Sequence, residues 1–390
     1  MPIVNRIADL QAEMVAWRHD FHENPELEFD VHRTAEIVAR ELRAFGCDEV
    51  VEGIGRTGVV GIIKGRKAGD RVIGLRSDMD ALPIMEATGA PYASKTPGKM
   101  HACGHDGHMA MLLGAGKYLA ETRNFAGAVA LIFQPAEESG GGGEKMVQDG
   151  MMERFGIDEV YGMHNAPDLP VGAFAIRSGP SLAATDEYDI TITGKGGHAA
   201  KPHMTVDPTQ VAAQIVIGAQ TIVARNLDPV HMQAVTITAM NTGETAFNVI
   251  PQTCSLRGTV RSFTEEDRAM AKARLIAMAE GCAAAAGATS EVSWEAGYPP
   301  MYNHPDQAEF AAQIADEVMG APCPREVPPQ MGAEDFAYML QARPGAMIMV
   351  GNGPTAECHH PAYDFADETM PAGASFWVRL AERAMPIGEA

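Results

Sequence analysis

The sequence predicts an α/β protein of two domains, and three features carry that reading. With 390 residues the chain exceeds what one hydrophobic core usually serves. Through its first half, short apolar runs alternate with helical stretches, the order that builds a sheet covered by helices on both faces. Near residue 183 apolar and polar residues begin to alternate at period two, as in strands half-buried on one face, so a second domain of α+β type is expected there.

Residues 4–45 suggest two helices: Ile3, Ile7, Leu10, Met14 and Trp17 recur at helical spacing, and Gly46 closes the second. Buried strands are expected at Val59–Ile63, Val72–Leu75, Val129–Phe133 and Val160–Met163, with a helix over about 106–123 between the second and third. In the inserted part, Tyr188–Thr193 and Ala234–Thr238 alternate, Thr253–Phe263 is strand-like and Glu291–Trp294 adds a fourth strand. Helical stretches fall at about 207–226 and 264–286. Tyr298-Pro299-Pro300 marks the return, so the first domain takes 1–182 and 298–390 and the inserted domain 183–297.

Composition removes several functions. The formal net charge of −21 argues against nucleic acid, which demands a basic footprint, and against anionic membrane surfaces. No run of 18 apolar residues is present, and the amphipathic start is unlike a signal peptide. The six cysteines lack the paired spacing of a disulfide framework, so a reducing compartment, by default a bacterial cytoplasm, is expected. A chain this acidic repels anionic substrates at long range, and a site for one needs local cations.

Chemistry concentrates in His101-Ala102-Cys103-Gly104-His105-Asp106-Gly107-His108 and, about thirty residues on, Pro135-Ala136-Glu137-Glu138. A thiol and an imidazole two residues apart on a loop can face one ion, and adjacent carboxylates can divide two tasks, one ligating metal while the other moves protons. Asp78 and Asp80 follow one predicted strand, Glu137 and Glu138 another and His164 a third, which is how sites assemble in α/β sheets. The glycines at 140–143 lack the Gly-Lys-Ser/Thr of a phosphate loop and are read as a tight turn beside the site.

These segments, together with Arg18-His19-Asp20-Phe21-His22-Glu23-Asn24-Pro25-Glu26-Leu27 and His359-His360-Pro361-Ala362-Tyr363-Asp364-Phe365, resemble the bacterial hippurate hydrolase and N-acyl-amino-acid amidohydrolase group. That group belongs to the aminoacylase and carboxypeptidase superfamily of two-metal peptidases. The resemblance implies a zinc-peptidase-like α/β catalytic domain with an inserted ferredoxin-like lid used for dimer contacts, in a homodimer or dimer of dimers. It implies five metal ligands: Cys103, His105, Glu138, His164 and His359. Five are too many for one catalytic zinc, which takes three, and suit two divalent ions such as manganese, zinc, nickel or cobalt sharing a bridge. Cys103 matches the bridging place. The group usually has a single histidine followed by asparagine and proline; alignment on Pro361 assigns the ligand to His359 and leaves His360 a neighbour, with Cys358 a third candidate donor.

Glu137 is the expected proton shuttle and Asp80 a carboxylate that orients a ligand. His101 and His108 are read as supporting residues, and Cys47, Cys254, Cys282 and Cys323 as packing. In the lid, His198 matches a histidine that reaches the active site from the partner subunit to face the attacked carbonyl oxygen. Asn248 and Arg261 match positions that hold the substrate, Arg261 by gripping a carboxylate, with Arg257 its alternative. The expected activity is metal-dependent hydrolysis of an N-acyl or N-aroyl amino acid. A dipeptidase or carboxypeptidase is the second reading; a non-catalytic metal-binding protein, the third, fits poorly with a glutamate pair.

Overall fold

A mixed seven-stranded sheet organises the larger of two units in the computed structural model, which describes residues 3–243 and 246–388. This unit comprises Met1–Gly179, Tyr302–Pro328 and Glu334–Ala390. Its strand order is Glu49–Ile54, Gly58–Lys64, Ala126–Gln134, Lys67–Asp78, Glu159–Pro167, Gly345–Gly353 and Phe174–Ala175. The four strands from Ala126–Gln134 to Gly345–Gly353 run parallel, so their carboxyl ends gather along one edge. Val129, Leu131, Ile132, Phe133, Ile73 and Leu75 are all fully buried, which is why these strands are unbroken apolar runs.

Helix His105–Thr122 packs against the sheet and against helices Gln11–Glu23, His32–Phe45 and Met370–Ala384. Its core face, including Leu112, Leu113 and Leu119, is excluded from water, and each such leucine contributes roughly 1.5–3 kcal/mol. The amino-terminal segment contains three helices, Asn5–Asp9, Gln11–Glu23 and His32–Phe45, where the sequence suggested two. Leu10 makes the break: its N–H is shared between the carbonyls of Arg6 and Ile7, a local tightening that leaves apolar periodicity intact.

The second unit comprises Pro180–Met301 and Pro329–Ala333. Its antiparallel sheet has the order Gln233–Asn241, Thr253–Ser262, Ala184–Thr193 and Thr289–Ala296. With helices Pro208–Asn226 and Glu265–Ala286 the chain order is βαββαβ, the ferredoxin-like arrangement. Tyr188, Ile190 and Ile192 share a buried cluster with Val211, Ile215 and Leu275 of the helices, while intervening strand residues are exposed. Both helices carry side-chain caps: Asp207 accepts from Thr209 N–H at 2.9 Å and Thr264 Oγ1 from Asp267 N–H at 3.1 Å. Each cap stabilises its helix by about 1 kcal/mol. Among the described residues no helix is long and apolar enough to cross a membrane.

Candidate metal centre

Strand ends of the first unit deliver the donors. Asp78 is the last residue of its strand, Glu137 and Glu138 follow Gln134 by a short turn, and His164 lies within Glu159–Pro167, not after it. Cys103 and His105 flank Gly104, the N-cap of the buried helix. Gly104 has φ +88°, and a Cβ there would stand 2.5 Å from both Asn165 Nδ2 and Tyr363 Oη, so only glycine fits. The turn after Glu138 has a similar demand, since a Cβ on Gly142 would lie 1.7 Å from the Pro135 carbonyl oxygen.

Of five trios of donors among the described residues whose ligand atoms all lie within 4.8 Å of one another, two contain Cys103: Cys103–His105–His164 and Cys103–Glu138–His359. Cys103 is common to both. Its Sγ is 3.4 Å from His164 Nε2, and Glu138 reaches His105 Nε2 at 3.8 Å through Oε1 and His359 Nε2 at 3.4 Å through Oε2. Of the adjacent histidines only His359 faces the cluster; His360 Nδ1 accepts the Ala362 N–H. The His359 side chain is 55% exposed whereas Glu138 is 8% and His105 0%, so solvent reaches the cluster from the His359 side.

The ring tautomers suit metal ligation. His105 Nδ1–H donates to the Asp80 carbonyl at 2.7 Å and His164 Nδ1–H to the Asn165 carbonyl at 2.7 Å, which leaves each Nε2 lone pair facing the other donors. His105 Nε2 and Glu138 Oε1 are buried with no hydrogen-bond partner. An imidazole nitrogen and a carboxylate oxygen that face one another at 3.8 Å without a hydrogen bond suit a cation between them. The residues present therefore fit a pair of divalent ions.

Electrostatics point the same way. Burial opposes charge on His105, but Asp78, Asp80 and Glu138 outweigh it and raise its pKa to about 10; a divalent cation would take the place of that proton. Contact with Cys358, and then burial, push the Cys103 thiol well above its ordinary value, so a thiolate there would call for a cation beside it. Burial also works against the Glu138 carboxylate, yet the His359 hydrogen bond and the His105 charge hold its pKa below the usual value. Glu137 behaves oppositely: burial, then the charges of Glu334 and Glu138, drive its pKa well up, as suits a proton carrier.

Asp80 holds the glutamate pair. Its Oδ1 accepts the Glu137 N–H at 2.9 Å and its Oδ2 the Glu138 N–H at 3.0 Å, while the carboxylate stands 3.6 Å from His105 Nδ1. His108 Nδ1–H donates to Asp78 Oδ1 at 2.7 Å. His101 is buried with neither ring nitrogen hydrogen-bonded, and burial lowers its pKa to about 3. Sequence reasoning missed a network behind Glu137: buried Arg76 donates to Gln134, Asp78, Glu334 and Asp335, and Asp335 accepts the Gly143 N–H at 2.7 Å. Glu137, Glu334 and Asp335 offer carboxylate oxygens within 4.8 Å of one another. An arginine inside a strand, followed by two aspartates, was the available signal.

The remaining predicted residues belong to the second unit. His198 pairs with Val249 in a two-residue bridge, and Ala199 N–H donates to the Asn248 carbonyl at 2.9 Å, so His198 and Asn248 are neighbours. The His198 ring is exposed, its Nδ1 accepting the Ala200 N–H. Arg261, on Thr253–Ser262, donates to Thr259 Oγ1 and the Val260 carbonyl. Arg257 pairs instead with Asp189 at 2.9 Å.

Comparison with known proteins gives a consistent picture. The profile of peptidase family M20/M25/M40 matches residues 74–383. A hippurate hydrolase of Campylobacter jejuni is 40% identical over 382 residues, 98% of this chain and 99% of its own. An N-acetylcysteine deacetylase of Bacillus subtilis is 38% identical over 94% of this chain and 96% of its own length. The crystal structure of the Bacillus subtilis YXEP protein, described as a dinuclear metal binding peptidase from the M20 family, superposes with a TM-score of 0.84 at 35% identity, covering 97% of this chain and 99% of that one.

Proposed function

Because the chain belongs to peptidase family M20/M25/M40, a family of metal-dependent hydrolases, we propose that it cleaves the amide bond of N-acyl or N-aroyl amino acids, of which hippurate is the model. The observation that carries this reading is the pair of donor trios sharing Cys103, with the separate buried carboxyl of Glu137 beside them. Cys103, His105, Glu138, His164 and His359 would hold two divalent ions, Cys103 being common to both trios. When bound, those ions supply Lewis-acid activation of water and of the amide carbonyl.

Glu137 takes a proton from the attacking water and delivers it to the amine nitrogen as the C–N bond breaks, giving a carboxylate and a free amine. Its raised pKa favours holding the proton between those two events. Asp80 fixes the backbone that carries Glu137, and the glycine turn that follows is tied down by Asp335. His198, offered by the partner subunit of a homodimer or dimer of dimers, would polarise the carbonyl oxygen, while Asn248 would hold the substrate and Arg261 grip its carboxylate. That charge pairing offsets the repulsion expected from a net charge of −21. Six unpaired cysteines support a cytoplasmic location.

The test is amine release from N-benzoylglycine and a panel of N-acetyl amino acids, with manganese, zinc, cobalt or nickel added. Glu137→Gln should abolish turnover while two ions per subunit stay bound. Turnover confined to free dipeptides would replace this reading with a dipeptidase, and metal binding without turnover would refute it.

A further inference from the structure

Asn165 is 2% exposed and meets three chain segments that carry metal donors. Its carbonyl accepts the His164 Nδ1–H at 2.7 Å, setting that ring's tautomer. Its side-chain Nδ2 donates to the Cys103 carbonyl at 2.5 Å. Its Oδ1 accepts the Tyr363 hydroxyl at 2.7 Å, four residues beyond His359, and lies 3.8 Å from Cys358 Sγ. Its backbone N–H donates to His108 Nε2 at 3.0 Å, and His108 is oriented in turn by Asp78. The amide's sense is fixed, because a flipped side chain would set oxygen against the Cys103 carbonyl.

From these contacts we infer that Asn165 is a positioning residue, which sets the spacing of Cys103, His164 and the His359 segment and so the affinity of the two-ion site. The inference rests on the donor set proposed above. The three segments are far apart in sequence, and no other described side chain hydrogen-bonds to both the Cys103 carbonyl and Tyr363. Close packing enforces the arrangement, since the same Nδ2 and the same hydroxyl approach Gly104 too closely for any side chain there. Asn165→Asp keeps the shape and the Tyr363 acceptor but places oxygen against the Cys103 carbonyl, driving that segment away. Tyr363→Phe leaves the amide present and removes its lock.

Both variants can be read with cobalt, whose thiolate-to-metal charge-transfer absorption reports a ligated cysteine, assigned to Cys103 by its persistence in Cys358→Ser, alongside ions retained per subunit on dialysis, kcat and KM. Wild type should show the band and two ions. Asn165→Asp should lose about 10–100-fold in cobalt affinity, with a weakened band and a fall in kcat at nearly constant KM. Tyr363→Phe should move the same quantities several-fold, with the unfolding midpoint of the metal-free chain close to wild type, and it decides the matter should Asn165→Asp fail to fold. Wild-type affinity and band in Tyr363→Phe, or in a folded Asn165→Asp, would overturn the role of Asn165 and leave the donor set standing. A wild-type cobalt form without a thiolate band would remove Cys103 from the donor set, and this inference with it.

Discussion

Replacing Asp80 by asparagine tests how the glutamate pair is held. Asp80 is 1% exposed and spends one carboxylate oxygen on each of two backbone donors, Glu137 N–H at 2.9 Å and Glu138 N–H at 3.0 Å. Asparagine keeps one acceptor and turns an NH2 group toward the other N–H. One charge-assisted hydrogen bond is lost and a buried donor is left unpaired, a cost of about 2–4 kcal/mol. Burial raises the Asp80 pKa, so neutralising the side chain recovers part of that cost and the lower end is expected, about 2 kcal/mol. A typical stability of about 5–15 kcal/mol survives the change. Catalysis should not, since a displacement of about 1 Å in a catalytic group can cost roughly 100-fold. Steady-state amine release should show kcat down by about two orders of magnitude with KM nearly constant, and urea unfolding of the metal-free chain a modest drop in midpoint. A variant with wild-type kcat would refute the view that Asp80 places Glu137.

Gly104→Ala combines a left-handed backbone with two 2.5 Å contacts, and should destabilise the chain by about 2–5 kcal/mol in denaturant unfolding. Arg76→Met removes the one guanidinium among Asp78, Glu334 and Asp335, leaving buried charge uncompensated; a loss of about 3–5 kcal/mol is expected, read by the same assay. His22 gives a pH dependence: burial opposes its charge, but Asp106 and Glu86 outweigh that and raise its pKa to about 9. A raised folded-state pKa means that its contribution, up to about 3 kcal/mol, is complete below about pH 6.5 and fades as pH climbs through about 9. Wild-type and His22→Gln unfolding midpoints should therefore differ at pH 6 and converge near pH 10, both approximate limits; a constant gap would contradict the assignment.

How far the sequence revealed this arrangement depended on the kind of signal. Parallel strands at Lys67–Asp78 and Ala126–Gln134 stood out because burial on both faces demands unbroken apolar residues. Cys103 and His105 drew attention because soft and borderline donors crowd one short loop, whereas the partition of His359 from His360 could not be read, since neighbouring side chains point apart and only the backbone, with φ +69° at His359, selects one. Glu334 and Asp335 precede a helix and look like ordinary acidic residues at a helix start; their partner Arg76 lies 258 residues away. Asn165 left no chemical mark at all, because its importance comes from three contacts remote in sequence. The break at Leu10 was equally silent, since apolar spacing continues across it.

The buried charge bears on how so acidic a protein would accept the anionic substrate proposed for it. Asp78, Asp80, Glu137, Glu138, Glu334 and Asp335 all gather near the strand ends, and Arg76 is the guanidinium bound among them. Burial, the largest cause for each, pushes Glu137 and Asp335 well above ordinary carboxyl values, and the charges of Asp78 and Glu138 raise the His105 pKa against its own burial. Were two divalent cations held by the trios sharing Cys103, their charge would favour the ionised carboxyls and make the local sign one that attracts a substrate carboxylate. Asp335 bonds Arg76, Gln134 and Gly143 and so braces the glycine turn, while Glu137 beside the donors is the carboxyl proposed to exchange protons with substrate. In the proposed site, placement relative to the cations, more than residue type, would thus divide these carboxylates into ligands, a proton carrier and supports.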